Sequence, residues 1–91
     1  MKIADQLQPL ADLHGDPANV RLHGERNIAA IAASLARFGQ QKPIVVQQQG
    51  MVVRAGNGTL LAAKNLGWTH IAASIVDMTD TEATAFSIAD N

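Results

Sequence analysis

Arg54-Ala55-Gly56-Asn57-Gly58-Thr59 places two glycines, an amide and a hydroxyl between Met51-Val52-Val53 and a run of helix formers from Leu60 to Leu66. A strand–glycine loop–helix joint of this kind suits an anion. Gly56 and Gly58 can take φ > 0 and bring main chain close to a ligand. Asn57 or Thr59 can cap the N–H groups that open the helix. The positive end of the helix dipole lies at the same place. The joint fits neither G-x-G-x-x-G nor G-x-x-x-x-G-K-[ST], so it points to phosphate or another anion without naming the ligand. A tight turn feeding a short helix is the alternative reading. A second loop, Gly39-Gln40-Gln41-Lys42-Pro43, carries a cation between two glutamines and a proline. If the two loops converge, Lys42 faces whatever anion the first one holds.

Other chemistry is less well supplied. His14/Asp16 and His23/Glu25 are i,i+2 pairs in loop-like sequence, and with His70 they do not make metal-ligand spacing. The absence of cysteine excludes disulfides, thiolate catalysis and cysteine metal sites. Thr59 does not stand in the register of a G-x-S-x-G nucleophile elbow. Asp77, Asp80 and Glu82 read as helix-capping residues rather than an acid–base set. Seven basic and eight acidic residues give a net charge of −1, which predicts no strong electrostatic grip on nucleic acid by these residues alone. No apolar run reaches membrane-spanning length, and the first residues lack the apolar core of a signal peptide. The expectation is a cytoplasmic protein with no membrane partner.

The elements that must position these residues follow from periodicity. Ninety-one residues suit one small domain. With 47% hydrophobic residues and only three aromatics, the core must be Ile, Leu, Val and Ala. A short strand is expected at 6–10, with Ile3, Leu7 and Leu10 facing a core, followed by irregular chain over 13–22. Ile28, Ile31, Leu35 and Phe38, with Ala32, recur at helical spacing over 25–38, and Gly39 is the natural cap. Ile44-Val45-Val46 and Met51-Val52-Val53 read as a hairpin about a turn at 48–50. A helix follows to Leu66, ended by Gly67, with Trp68 as a core or rim residue. Residues 70–76 make another strand. Thr79 or Asp80 caps a last helix, whose buried side would be Ala83, Phe86 and Ile88. The fold class is α/β (α+β), a short mixed sheet of three or four strands packed with three or four helices.

Taken in order, Asn19-Val20-Arg21-Leu22-His23, Phe38-Gly39-Gln40-Gln41-Lys42-Pro43-Ile44-Val45-Val46, Ala55-Gly56-Asn57-Gly58-Thr59, Leu66-Gly67-Trp68 and Ile88-Ala89-Asp90-Asn91 resemble the N-terminal domain of the ParB family, in the ParB/sulfiredoxin superfamily. The resemblance covers about residues 6–91. It is closest to ParB-like domains of phage, plasmid and methyltransferase-associated proteins, in which G-x-G-[RT] replaces G-E-R-R. It implies a single domain over 1–91, prokaryotic or phage-encoded, standing alone or cut from a longer protein, without the partition proteins' helix-turn-helix. It also implies a nucleotide pocket, which in chromosome-partition relatives holds CTP with magnesium and hydrolyses it.

Residue by residue, the family's G-x-x-Q-P loop falls on Gly39, Gln40, Gln41, Lys42 and Pro43, with Lys42 in the glutamine's place. Its phosphate loop falls on Gly56, Asn57, Gly58 and Thr59. Its N-P-R segment falls on Asn19, Val20 and Arg21, with His23 beside it. A late asparagine that can meet magnesium through the nucleotide falls on Asn91. The departures are Asn57 for an acid, Gly58 and Thr59 for two arginines, and Leu61 for a third. They remove guanidinium contacts that grip a triphosphate most strongly, while backbone donors and the helix dipole stay.

The resemblance therefore implies a nucleotide (CTP, ATP or ADP, with Mg2+) as ligand and partner. DNA would be reached only through domains outside this chain, and a homodimer stays open as a further partner. Sulfiredoxin chemistry is excluded because Asn57 stands where its cysteine would. No carboxylate–histidine cluster supports a nuclease. Three functions stay open: a nucleotide- or phosphate-binding module in DNA partition or phage and plasmid DNA transactions, a degenerate scaffold for protein contacts, and a phosphotransferase or NTPase with no convincing general base.

Overall fold

The computed structural model describes residues 2–20 and 24–90. In chain order the elements are β1 (Lys2–Pro9), a 3-10 turn (Leu10–Asp12), β2 (His14–Gly15), α1 (Pro17–Val20), α2 (Glu25–Phe38), β3 (Ile44–Gln47), β4 (Val52–Ala55), α3 (Asn57–Asn65), β5 (His70–Val76) and α4 (Asp80–Asp90). The strands form one mixed sheet in the order β1-β5-β3-β4-β2. The architecture is the expected α/β class, with five strands rather than three or four. The extra one is β2, two residues held parallel to β4 through His14↔Val52 and Gly15↔Val53.

The core lies between the sheet and the α2–α3 pair. Ile71, Ala73 and Ile75 alternate inward from β5, and Val46 and Val53 meet them from β3 and β4, all buried. Ile28 and Leu35 supply the buried ridge of α2, and Leu60, Ala62 and Ala63 that of α3. The alanines let α3 approach the sheet closely. Ile31, Ala32 and Trp68 pack against this cluster. Gly39 at φ 74 ends α2, its N–H donating to the Leu35 carbonyl. Gly67 at φ 79 follows α3.

Four expectations need correction. The first strand runs Lys2–Pro9, not 6–10, and Leu10 is buried in the turn after it, its N–H bonded to the Thr69 carbonyl at 3.0 Å. Leu7 is 72% exposed, because it lies opposite Ala72 and so shares the sheet face away from Ile71 and Ala73. Phe38, the last residue of α2, is 62% exposed despite its helical spacing, with the Arg37 guanidinium 5.0 Å from its ring centroid. Phe86 is 38% exposed, so Ala83 alone carries the buried side of the described part of α4.

Thr79 caps α4 as expected. The Glu82 N–H donates to Thr79 Oγ1 at 3.1 Å, and the Thr79 N–H donates to Glu82 Oε1 at 2.9 Å, a reciprocal capping box. The hydrogen bonds from the Thr79 main chain and side chain hold the Glu82 carboxyl below its ordinary pKa. A carboxyl lowered in the folded state contributes stability above its unfolded pKa and loses it as pH falls through the folded value. Helical circular dichroism of α4 should therefore fall on acidification through the carboxylate range. In Glu82→Gln that acid-dependent part should be missing; an unchanged profile in the variant would remove the box from the account.

Candidate functional site

Gly56 sits at φ 92, ψ 24 and is the N-cap of α3. No side chain caps this end, so neither Asn57 nor Thr59 does what the sequence suggested. The left-handed conformation favours glycine, and the space demands it. A Cβ at Gly56 would stand 2.5 Å from Ile44 Cγ2 and 3.4 Å from Ile44 Cα. That contact sets the start of β3, directly after Gly39–Pro43, against the β4–α3 joint. Lys42 and Pro43 are exposed on that loop, and Lys42 has no ion-pair partner among the described residues.

The amides in the two loops are engaged internally. Asn57 is buried. Its Oδ1 accepts the Asp16 N–H at 3.0 Å and its Nδ2 donates to the Val53 carbonyl at 2.9 Å. Gln40 pairs with the main chain of Ala72 like one more strand residue: Nε2 donates to its carbonyl and Oε1 accepts its N–H, both at 2.8 Å. Nε2 also reaches the Lys42 carbonyl at 3.0 Å. Gln41 Nε2 closes the end of α2 on the Phe38 carbonyl at 2.8 Å. Gln40→Ala should lower the unfolding free energy by about 1–2 kcal/mol, the scale for leaving a half-buried main-chain pair unmet. Gln40→Glu should not rescue it, because a carboxylate keeps the acceptor and loses the donor. Urea denaturation checks both; a wild-type midpoint for Gln40→Ala would contradict the pairing.

Beside the joint lies a polar cluster that sequence reasoning did not assemble. The β3–β4 register passes from Val45↔Ala55 to Val46↔Val53, which leaves Arg54 as an extra, bulged residue. A bulge re-aims its side chain. Arg54 Nη1 meets Asp16 Oδ2 at 2.9 Å, and Nε and Nη2 both donate to Gln47 Oε1, at 3.0 and 2.8 Å. Gln47, 1% exposed, donates onward to the Met78 carbonyl at 2.9 Å and to Asp80 Oδ1 at 3.1 Å. Asp16 Oδ1 accepts the Ala18 N–H at 3.0 Å and so caps α1. Among the described residues no buried side-chain polar atom lacks a partner. The available signal was two polar residues, Gln47 and Arg54, at the ends of β-branched runs.

Gly58 is buried and Thr59 half-buried on the first turn of α3. Asn19 falls in α1, and Arg21, His23 and Asn91 lie outside the described residues. Among the described residues no group of three or more His, Asp or Glu could hold a metal ion, and no helix is long and apolar enough to cross a membrane.

Comparison with known proteins adds four findings. The ParB N-terminal domain family model matches residues 3–91. A "ParB-like nuclease domain-containing protein YnaK" of Escherichia coli (strain K12) is 30% identical over 59 residues, covering 65% of this chain and 67% of that protein. The chromosome-partitioning protein ParB from Caulobacter crescentus, solved C-terminally truncated with CTP-gamma-S, superposes with a TM-score of 0.84 at 20% identity over 94% of this chain. This chain spans about half of it, 51%. Sulfiredoxin from Arabidopsis thaliana superposes with a TM-score of 0.76 at 20% identity, over 92% of this chain and 97% of that one. The superpositions carry the fold, and the sequence match carries the family: the chain belongs to the ParB N-terminal domain family.

Proposed function

We propose that the chain is a nucleotide- or phosphate-binding ParB-type module acting in DNA partition or in phage and plasmid DNA transactions, with its ligand at the β4–α3 joint. The observation that carries this reading is the close approach of Gly56 to Ile44, the residue that follows the Lys42 loop, beside a helix N-terminus that no side chain caps. Backbone N–H groups and the α3 dipole attract the phosphate, and Lys42 supplies the nearby cation. Magnesium enters with the nucleotide. DNA is reached through other domains, as a Caulobacter crescentus ParB of this fold was solved on its centromeric parS site. One observation favours a second reading, a scaffold with a lost pocket: Gln40, Gln41 and Asn57 all spend their amides inside the fold. Isothermal titration calorimetry with CTP, ATP, GTP, their diphosphates and phosphate, each with and without magnesium, separates the two. Binding that is abolished by Gly58→Val supports the module. Silence with every ligand at millimolar concentration gives the scaffold.

A further inference from the structure

Among the described residues, β1 is an edge strand with β5 as its one neighbour in the sheet. Two observations fix which of its main-chain groups face β5. The Leu10 N–H donates to the Thr69 carbonyl at 3.0 Å, in line with the β1–β5 register. Ala72, opposite Leu7, gives its N–H and its carbonyl to Gln40, on the β3 side of β5. Opposed residues of an antiparallel pair alternate between bonding each other and facing away. Gln6 and Gln8 therefore bond β5, while the N–H and carbonyl of Leu7 point out of the sheet's edge. Pro9 falls on the same outward phase, where a strand tolerates the loss of an N–H. Two devices that blunt an edge bracket this window: Pro9 at one end and a register shift between Lys2 and Ala4 at the other. Between them the Leu7 side chain is 72% exposed. The far edge of the sheet, β2, is two residues long. One edge is left that is fit to pair.

We propose that this edge takes β1 of a second copy of the chain, antiparallel, with Leu7 set against Leu7 across a two-fold axis. The N–H of each Leu7 donates to the carbonyl of the other. Because the axis stands perpendicular to the sheet, both side chains lie on one face and cover each other, a cross-strand pair of the kind that stabilises a sheet. The edge is complementary to itself in this register and poorly so in the adjacent ones. Each Asp5 stands opposite Pro9 of the other copy, so the two carboxylates are about 14 Å apart along the strands, beyond a Debye length of about 8–10 Å. A slip of two residues one way sets Leu7 against Asp5 and halves that separation. The same slip the other way sets Leu7 against Pro9, which has no N–H to give. A slip of one residue meets main-chain groups already bonded to β5. The pairing is isologous and closes at two copies, because the short β2 edge offers no second site for growth. A single short strand pair lies below the standard interface size, so the dimer is a transient one. It is independent of any ligand at the α3 start.

Sedimentation equilibrium of the full chain tests this. The expected result is a monomer–dimer equilibrium with a dissociation constant between about 10 µM and about 1 mM, and no larger species. Leu7→Lys puts two like charges face to face and should weaken association about tenfold or more, with an unchanged melting temperature because the side chain is exposed. Leu7→Glu should do the same. Mixed one to one, Leu7→Lys and Leu7→Glu should dimerise again, since in this register each lysine meets a glutamate. Leu7→Pro removes the outward N–H and no bond to β5, so it should also give a monomer; if it unfolds, the two charged variants carry the test. A wild-type chain that stays monomeric at about 1 mM overturns the proposal and leaves the edge to another partner. A dimer that survives Leu7→Lys in a folded protein, or a mixture of the charged variants that stays monomeric, also overturns it.

Discussion

Gly56→Ala should cost about 2–5 kcal/mol of folding free energy: roughly 1–2 for a Cβ in the left-handed region and roughly 1–3 for forcing that atom into Ile44. The second part cannot be relieved by a rotamer change alone, because the intruding atom stands 3.0 Å from Ile44 Cβ, which no rotamer moves, as well as 2.5 Å from Cγ2. Chemical denaturation should show a lower midpoint with an unchanged slope, the mark of lost stability rather than an altered denatured state. A cycle separates the two costs. Ile44→Ala is itself destabilising, since Ile44 is buried. In Gly56→Ala/Ile44→Ala the part of the steric cost owed to Ile44 Cγ2 should be recovered, and the remaining clash with Cβ and the conformational part retained. A loss below about 1 kcal/mol in the single variant is too small for strain at a special φ combined with overpacking, and would contradict this geometry.

The second large effect is expected at Arg54. Its side chain is 18% exposed and that of Asp16 10%, so the pair is largely out of water. Removing one partner of a buried ion pair costs about 3–5 kcal/mol, because the other is left buried and uncompensated. Arg54→Ala should fall in that range, with Gln47 Oε1 also losing two donors. Arg54→Lys should recover little: a single ammonium cannot reproduce a planar fork that meets Asp16 on one side and Gln47 on the other. Arg54→Ala/Asp16→Ala should cost less than the two single changes added together. Raising the salt concentration should change the wild-type value little, since buried pairs are weakly screened. Arg54→Ala with near-wild-type stability would show that solvent replaces the guanidinium without penalty.

What the sequence revealed follows from what is local. The helix over 25–38 was legible because Ile28 and Leu35 repeat on one ridge and Gly39 stops it. The β3–β4 hairpin and β5 were legible as β-branched runs, and the α4 cap as Thr79 with Glu82. The rest depends on partners far away in the chain. β2 is two residues with no pattern of their own, strand-like only because β4 lies alongside. Leu7 reads as apolar and core-facing until its neighbour Ala72 fixes the face. Asn57 has the right chemistry to cap α3, yet its amide turns back to Asp16 and Val53. Arg54 breaks the alternation of β4 through a bulge that no spacing announces. Of the site, the glycine joint and the neighbouring Lys42 loop were visible in the residues themselves. The Asp16–Arg54–Gln47 cluster was not, since its members come from three segments.

The strand order has a kinetic consequence. β5 pairs with β1 from the opposite end of the chain, whereas β3 and β4 are joined by one short turn. Closing the long loop costs chain entropy before its contacts give anything back, so the hairpin and the helix that follows it form the natural nucleus. A chain emerging from the ribosome must hold its first strand unpaired until nearly all of the domain has been made. Substitutions in the hairpin should then change the refolding rate, and those in β1 mainly the unfolding rate, a division that stopped-flow chevrons read directly.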